Sequence, residues 1–489
     1  MRRPTTPRLA LLATLLTTAF AAHAASLQEA ASKLAVDKTQ GIEFAATGHW
    51  FQFGQAPNVK QPWPRFDVQK YVADIDYAKG AARVQITRQQ ADDPQRRRPA
   101  PTTQWLDQYV NGKQAWNLPP VSQPQTATPQ PAAVEERQAE ILSTPQGFIK
   151  AAQANQASSK PLKNGLELRF TVDGKYQYVG TLNAANEVEK ISTWIDNPVL
   201  GDTLVETEFT KYKDFGGIRF PSEIVRLQGG HPVLALRVNE VKVNPTVDLT
   251  PPESVKNAQA PAVSVKADKL AEGVFYLTGG THHSVAIEQN DHIVLVEAPL
   301  NEARSQALIA KVGELFPNKP IKYLVNTHVH FDHSGGLRTF VDAGATIVTH
   351  QLNAPYYQKI WANPHTLNPD ALARSKKTPR FETFGDKLVL NDGSRKIEIH
   401  NIAESGHNDG FALIYLPAEK ILVEADAFTP AAASAPLPAS PNPYSVNLYK
   451  NIQRLKLDVD KIAALHGPRV VTINDLRAAI GLGTVASAK

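Results

Sequence analysis

Between Asn326 and Gly336 the chain reads NTHVHFDHSGG, placing three histidines and one aspartate in the six positions 328–333. Eleven of the fourteen histidines lie between His282 and His466, so this cluster belongs to a histidine-rich second half. Imidazole nitrogens and carboxylate oxygens form a donor set suited to zinc, and the chain, which has no cysteine, offers no thiolate. The cluster follows IKYLVN, which reads as a buried strand, where the chain must leave its sheet. Rigid scaffolds usually present catalytic groups at such strand ends. His328 and His330, two apart in an extended turn, can share one metal ion. Asp332 and His333 fall at the start of the next helix and can address a second ion nearby. Gly335 and Gly336 let backbone pack closely beneath. A solvated polar loop is a poor account of four ligand-type residues in six positions.

The pattern H-x-H-x-D-H at His328, His330, Asp332 and His333 resembles the leading signature of the metallo-β-lactamase superfamily. The resemblance implies a four-layer αβ/βα sandwich with a metal cleft at one edge of the paired sheets. It also implies three later ligands, and matching stretches exist. AESGHNDG places His407 between two strands, ILVEADAF places Asp426 at a strand end in the metal-bridging position, and ALHGP places His466 before Gly-Pro. The resemblance covers roughly residues 265–480 and divides the ligands into two groups. His328, His330 and His407 take a first ion; Asp332, His333 and His466 take a second; Asp426 bridges. Five histidines and two aspartates suit two zinc ions per chain, with iron or manganese as alternatives. Two such ions hold one hydroxide, its pKa lowered toward neutrality. Asp332 is the catalytic residue that orients it and passes its proton on. The chain departs from the family at Ala425, where glycine is more usual, and at Glu297, where aspartate is. Glu297 is either a partner of a ligand histidine or a carboxylate held by backbone amides.

Candidates for the substrate cleft are weaker. His282 and His283 sit in the turn GGTHHSV, at the rim or simply solvated. Residues 353–381 carry Tyr356, Tyr357, Trp361 and His365, which either wall the cleft or pack the insertion onto the core. Residues 428–447 follow Asp426 and are placed to form part of the rim.

The elements that position these residues read as layered α/β. GVFYLT, HSVAIEQ and HIVLVEA are short strands, residues 301–316 an amphipathic helix with Asn301 as N-cap, GGLRTFVDAG a helix and TIVTH a strand. RKIEIHNI, FALIYLP and KILVEAD continue the strands, and NLYKNIQRLKLDVDKI reads as a helix. The first half differs. VQKYVADIDY, LELRFTVDGKYQYVGTLN, VETEFTKYKDFGGIRFPSEIVRL and VLALRVNEVKVN alternate apolar and polar residues, with turns at Asp173-Gly174 and Gly216-Gly217. They predict a mainly antiparallel β domain with one buried face, loosely similar to periplasmic lipoprotein carriers. No catalytic constellation appears there. Three Pro-rich stretches, 92–101, 119–136 and 244–269, punctuate the chain. Arg96–Arg98 among the prolines reads as an exposed, solvated loop, and the third stretch as an interdomain linker.

Residues 1–24 read as a secretory signal: Arg2, Arg3 and Arg8, an apolar run, then Ala22-His23-Ala24. The expected organisation is a signal at 1–24, a mainly β domain at 25–250, a linker at 251–265 and a catalytic domain at 266–489. Without the signal's arginines, 49 basic residues face 47 acidic ones, which argues against a nucleic-acid surface. No other segment predicts a membrane span, and the absence of cysteine excludes a disulfide-linked partner. The expected protein is a periplasmic or secreted zinc hydrolase acting on a small ester, lactone, thioester or amide. Alternatives are a mononuclear iron oxygenase like the persulfide dioxygenases, a β-lactamase, or a periplasmic binding protein with a vestigial metal site. Oligomeric state and substrate identity are not legible from the chain.

Overall fold

A computed structural model describes residues 25–259 and 262–483; the expected signal, 1–24, lies outside the described residues. The first half forms one thirteen-stranded sheet in which every pairing is antiparallel. Two meanders meet where Gly41–Phe51 pairs with His231–Val243, from Ile42 opposite Val243 to Trp50 opposite Leu234. Alternation decides which side is covered: along Gly201–Asp214 every second residue from Gly201 to Phe209 is buried. The helices Val134–Leu142 and Pro145–Ala154 pack on that side, with Phe148 and Ile149 fully buried among the strand side chains. Asp173 (φ 52°) and Gly174 (φ 65°) take the left-handed conformation that a primed hairpin turn demands.

The second half holds two sheets of seven and six strands. Val274, Val285, Val294, Val325 and Val348 of the first share a core with Ile397, Ile399, Leu413, Val423 and Ala463 of the second. Outside the seven-stranded sheet, Leu308 and Val312 of Glu302–Leu315 and Phe340 of Leu337–Asp342 meet Leu277, Leu295, Leu324 and Ile347. Leu448 and Ile452 of Pro443–Arg454 and Leu476 of Ile473–Ala479 cover the six-stranded sheet. This is the four-layer αβ/βα arrangement that the resemblance implies, preceded by a large antiparallel sheet. Asn301 caps its helix as expected, accepting from the Arg304 amide at 3.0 Å.

Two readings need correction. The helix expected over NLYKNIQRLKLDVDKI begins earlier, at Pro443, because Asn442 caps it and accepts from the Tyr444 amide at 2.9 Å. It ends at Arg454; Lys456 turns left-handed (φ 54°), and Lys461–Ala464 is a strand. The Pro-rich segment between the halves is no free spacer. It contains the short helix Glu253–Lys256, and Leu249 and Val255 are buried against Tyr109 and Trp116 of the first sheet.

Candidate metal centre

The strand Ile321–Val325 runs parallel to Ile293–Val296 and Thr346–His350, and its end delivers His328 and His330. A single helical turn, Phe331–Ser334, then carries Asp332 and His333. That turn sits close to the preceding loop because glycine allows it. A Cβ on Gly335 would lie 2.0 Å from the Leu300 carbonyl oxygen, and one on Gly336 would lie 2.0 Å from Ser305 Oγ. His407 comes from the loop between Lys396–Asn401 and Ala412–Leu416, Asp426 from just beyond Ile421–Glu424, and His466 from just beyond Lys461–Ala464. All seven lie at one edge of the paired sheets.

Asp426 is the centre of the cluster. Its Oδ2 lies 3.1 Å from His407 Nε2, 3.2 Å from His333 Nε2 and 3.5 Å from His328 Nε2, and its Oδ1 lies 2.9 Å from His466 Nδ1. The side chains separate into groups whose ligand atoms lie within 4.8 Å of one another. His328, His330, His407 and Asp426 form one, and Asp332, His333 and Asp426 another. His466 groups with His333 and His282.

These residues fit a metal. His330 Nδ1 and His333 Nε2 are buried with no hydrogen-bond partner. Their opposite nitrogens are held: His330 Nε2 lies 3.0 Å from the Ala56 carbonyl oxygen and His333 Nδ1 lies 3.1 Å from Glu297 Oε2. The acceptor at His330 Nε2 places the N–H there and leaves the Nδ1 lone pair facing the cluster. Burial alone would lower His333, but Asp426, then Glu297, hold it well above its ordinary value, so an ion at Nε2 would displace a proton there. Burial, then the neighbouring His333, pushes His328 down to about 4, so it is a neutral donor at pH 7. Burial, then His328 and His407, likewise pushes His330 well down. Burial alone would raise the Asp426 carboxyl, but His333, His328 and His407 together hold it well below the usual range, as an anion. Burial would also raise Asp332; His282, then His333, overrides it and keeps that carboxyl low.

Glu297 does both things considered for it. Fully buried, it meets His333, and it also accepts from the Thr327 amide at 3.3 Å, from Asn326 Nδ2 at 3.2 Å and from the Thr327 hydroxyl. His282 is not in a solvated turn. It is 7% exposed, stacks on His466 with ring centroids 4.2 Å apart, and puts Nε2 3.2 Å from Asp332 Oδ2. His283 is also buried, with Nε2 2.6 Å from the Gly467 carbonyl oxygen, where it ties down the His466 loop. Tyr357 and Trp361 pack rather than line the cluster. Tyr357 is fully buried and donates to Asn326 Oδ1 at 2.8 Å, and Trp361 stacks on Tyr357 and Phe381. Tyr356 borders a cavity of about 610 Å³ between the two halves, shared with Val59, Trp63, Leu200 and Phe331. The cluster reaches solvent at Asp332 and His466, whose side chains are 29% and 38% exposed. An open groove of about 860 Å³ runs past His466, lined by Tyr276, Thr281, His283 and Thr429.

Sequence reasoning missed several participants. Tyr444, on the helix after the 428–441 loop, sets its ring edge-on to His407 at 5.3 Å. Arg96 and Arg98 are not solvated: their side chains are 11% and 12% exposed, and Arg96 holds both oxygens of Asp409 at 2.9 Å and 3.0 Å. That pair fastens a first-half loop beside His407. Gln55, in the connection after Gly41–Phe51, donates to Asp332 Oδ1 at 2.8 Å. No residue-type signal marks Gln55, Arg96 or Tyr444, because each reaches the cluster through a contact far away in sequence.

Residues 277–466 match the family model of the metallo-beta-lactamase superfamily. Among curated proteins, the 2,4-dinitroanisole O-demethylase subunit alpha of Nocardioides sp. (strain JS1661) is 23% identical over 167 residues, 33% of this chain. The match spans 46% of that relative, less than half its length. Among solved structures, a metallo-beta-lactamase from Pontibacter korlensis is 20% identical with a TM-score of 0.35, over 45% of this chain and 98% of that one. One from Hirschia baltica is 18% identical with a TM-score of 0.34, over 44% and 96%.

Proposed function

We propose that this chain, whose residues 277–466 match the family model of the metallo-beta-lactamase superfamily, is a zinc-dependent hydrolase of a small ester, lactone, thioester or amide. It works in the periplasm or outside the cell. The observation that carries the reading is the convergence of three imidazoles and Asp332 around Asp426, with two buried ring nitrogens aimed inward and otherwise unpartnered. His328, His330 and His407 would hold one ion, Asp332, His333 and His466 the other, and Asp426 would lie between them. When bound, the pair supplies Lewis acidity and a water acidic enough to be a nucleophile at neutral pH.

The chain's own groups set the geometry. Asp332 keeps an anionic carboxylate at the solvent-facing side of the cluster, where it can take a proton from the attacking water. His282, 3.2 Å from Asp332 Oδ2, is placed to relay that proton outward. The open groove at His466 gives a substrate a route to the same side.

The test is a metal count on purified protein together with a hydrolysis panel of esters, lactones, thioesters, amides and a penicillin. An activated aryl ether belongs on that panel, since one relative is named for demethylating dinitroanisole. Two zinc ions per chain and turnover of one class support the proposal. One iron per chain with oxygen consumption would replace it by an oxygenase.

A further inference from the structure

The connection at residues 52–64 leaves the first sheet and lies on the candidate metal centre. Gln55 Nε2 donates to Asp332 Oδ1 at 2.8 Å. The Ala56 carbonyl oxygen lies 3.0 Å from His330 Nε2 and accepts from Asn408 Nδ2 at 3.1 Å. The Gly54 carbonyl accepts from the Phe331 amide at 3.2 Å and the Pro57 carbonyl from the Asp409 amide at 2.9 Å. Asn58 Nδ2 donates to Asp409 Oδ2 at 2.6 Å. One short loop thus grips both His330-Phe331-Asp332 and Asn408-Asp409, on either side of the cluster.

We infer that Gln55 and the Ala56 carbonyl are positioning residues of the metal centre, supplied by the N-terminal sheet. The inference rests on reading the cluster as a metal centre. A backbone carbonyl only accepts, so Ala56 requires the N–H of His330 at Nε2 and leaves Nδ1, buried and otherwise unpartnered, as the bare donor. A carboxylate also only accepts, so Gln55 must present its amide N–H₂ to Asp332 Oδ1. That contact turns Oδ2 inward, toward His282 at 3.2 Å and His333 Nε2 at 3.8 Å. Ala56 therefore acts on the first ion's ligands and Gln55 on the second's.

The loop's attachment does not depend on Gln55. Phe53 packs edge-on against Phe331 at 5.2 Å and against Trp63 at 4.5 Å. Gly54, at φ 75°, lies so close to the Phe331 ring that a Cβ would come within 2.5 Å of it. Replacing Gln55 alone leaves the loop docked, whereas a side chain at Gly54 drives it off.

The experiment is chelator competition, with zinc counted per chain, on the full-length wild type, Gln55→Leu and Gly54→Val. The melting temperature of each metal-free protein is recorded alongside. For Gln55→Leu one of the two zinc ions, the one held through Asp332, should lose about 10- to 100-fold in affinity. The other zinc and the metal-free melting temperature should stay at wild-type values. Gly54→Val should weaken both ions. A wild type holding two zinc ions beside a Gln55→Leu protein with unchanged affinities overturns the inference alone. So does an equal loss at both ions with a lowered metal-free melting temperature, the mark of a merely structural role. A wild type that takes up no zinc overturns the metal reading and the inference together.

Discussion

The Nε2 atoms of His328 and His407 face each other across 3.2 Å, with Asp426 Oδ2 3.5 Å from one and 3.1 Å from the other. Two imidazoles that turn ring nitrogens toward one point beside a carboxylate are stabilised by a cation there. His407→Ala should therefore reduce the zinc count and lower kcat/KM by about a thousandfold, since a metal supplies several kcal/mol to the transition state. Zinc should also protect the wild type against heat. At a free concentration of about a thousand times Kd the gain is about 4 kcal/mol, read as a drop in melting temperature on adding chelator. A His407→Ala protein with full zinc and near-normal turnover would remove His407 from the site.

Glu297 holds His333 from behind, in a left-handed backbone (φ 75°) that is costly for a non-glycine residue. Its contacts to Asn326, Thr327 and His333 keep that conformation in place. Glu297→Ala strands several buried donors at once and should cost about 3 kcal/mol in denaturant unfolding of the metal-free protein. It should also weaken zinc held through His333. Unchanged stability would show that the network is dispensable.

Tyr357 separates packing from substrate contact. Its hydroxyl reaches Asn326 Oδ1 inside the core, so Tyr357→Phe should lose about 1 kcal/mol of stability. Both kcat and KM should stay within about twofold of wild type, because one buried hydrogen bond is removed with the ring's packing intact. A tenfold rise in KM would return Tyr357 to the substrate cleft.

The metal-candidate residues were legible because the chemistry demands those residue types, and because the strand-end positions of His328, Asp426 and His466 follow from short apolar runs such as IKYLVN and ILVE. The antiparallel first sheet was legible for a similar reason: one covered face writes alternation into Gly201–Asp214. What stayed hidden is long-range. Arg96 reads as solvated from its proline-rich surroundings, yet its partner Asp409 lies 313 residues away. Ala56 acts through a carbonyl that any residue would offer, so its identity carries no signal. The misplaced helix before Lys461 shows a further limit: the apolar spacing of NLYKNIQRLKLDVDKI continues through a left-handed turn at Lys456 that spacing alone does not register.

Stability of the first sheet should fall as pH rises. Glu43 and Asp74 are directly opposed on neighbouring strands, and Asp74 is 3% exposed with Oδ1 buried and unpartnered. Burial, then the neighbouring Glu43, raises the Asp74 carboxyl to about 6. Lys242, 2.6 Å from Glu43 Oε1, instead keeps Glu43 low and charged. An unfolded aspartate titrates near ~3.9, so between these values the folded chain holds a proton that the unfolded chain has lost. The contribution is fully present below the unfolded pKa and is lost as pH rises through the folded one. Asp74→Asn keeps the shape and a donor toward Glu43 while removing the charge. It should stabilise the protein at pH 8 by on the order of 1 kcal/mol, since like charges directly opposed across strands are destabilising. At pH 4, where Asp74 already carries its proton in the fold, the gain should nearly vanish. Denaturant unfolding of wild type and Asp74→Asn at the two pH values checks this; an equal gain at both would mean that the Asp74 charge is not what weakens the sheet.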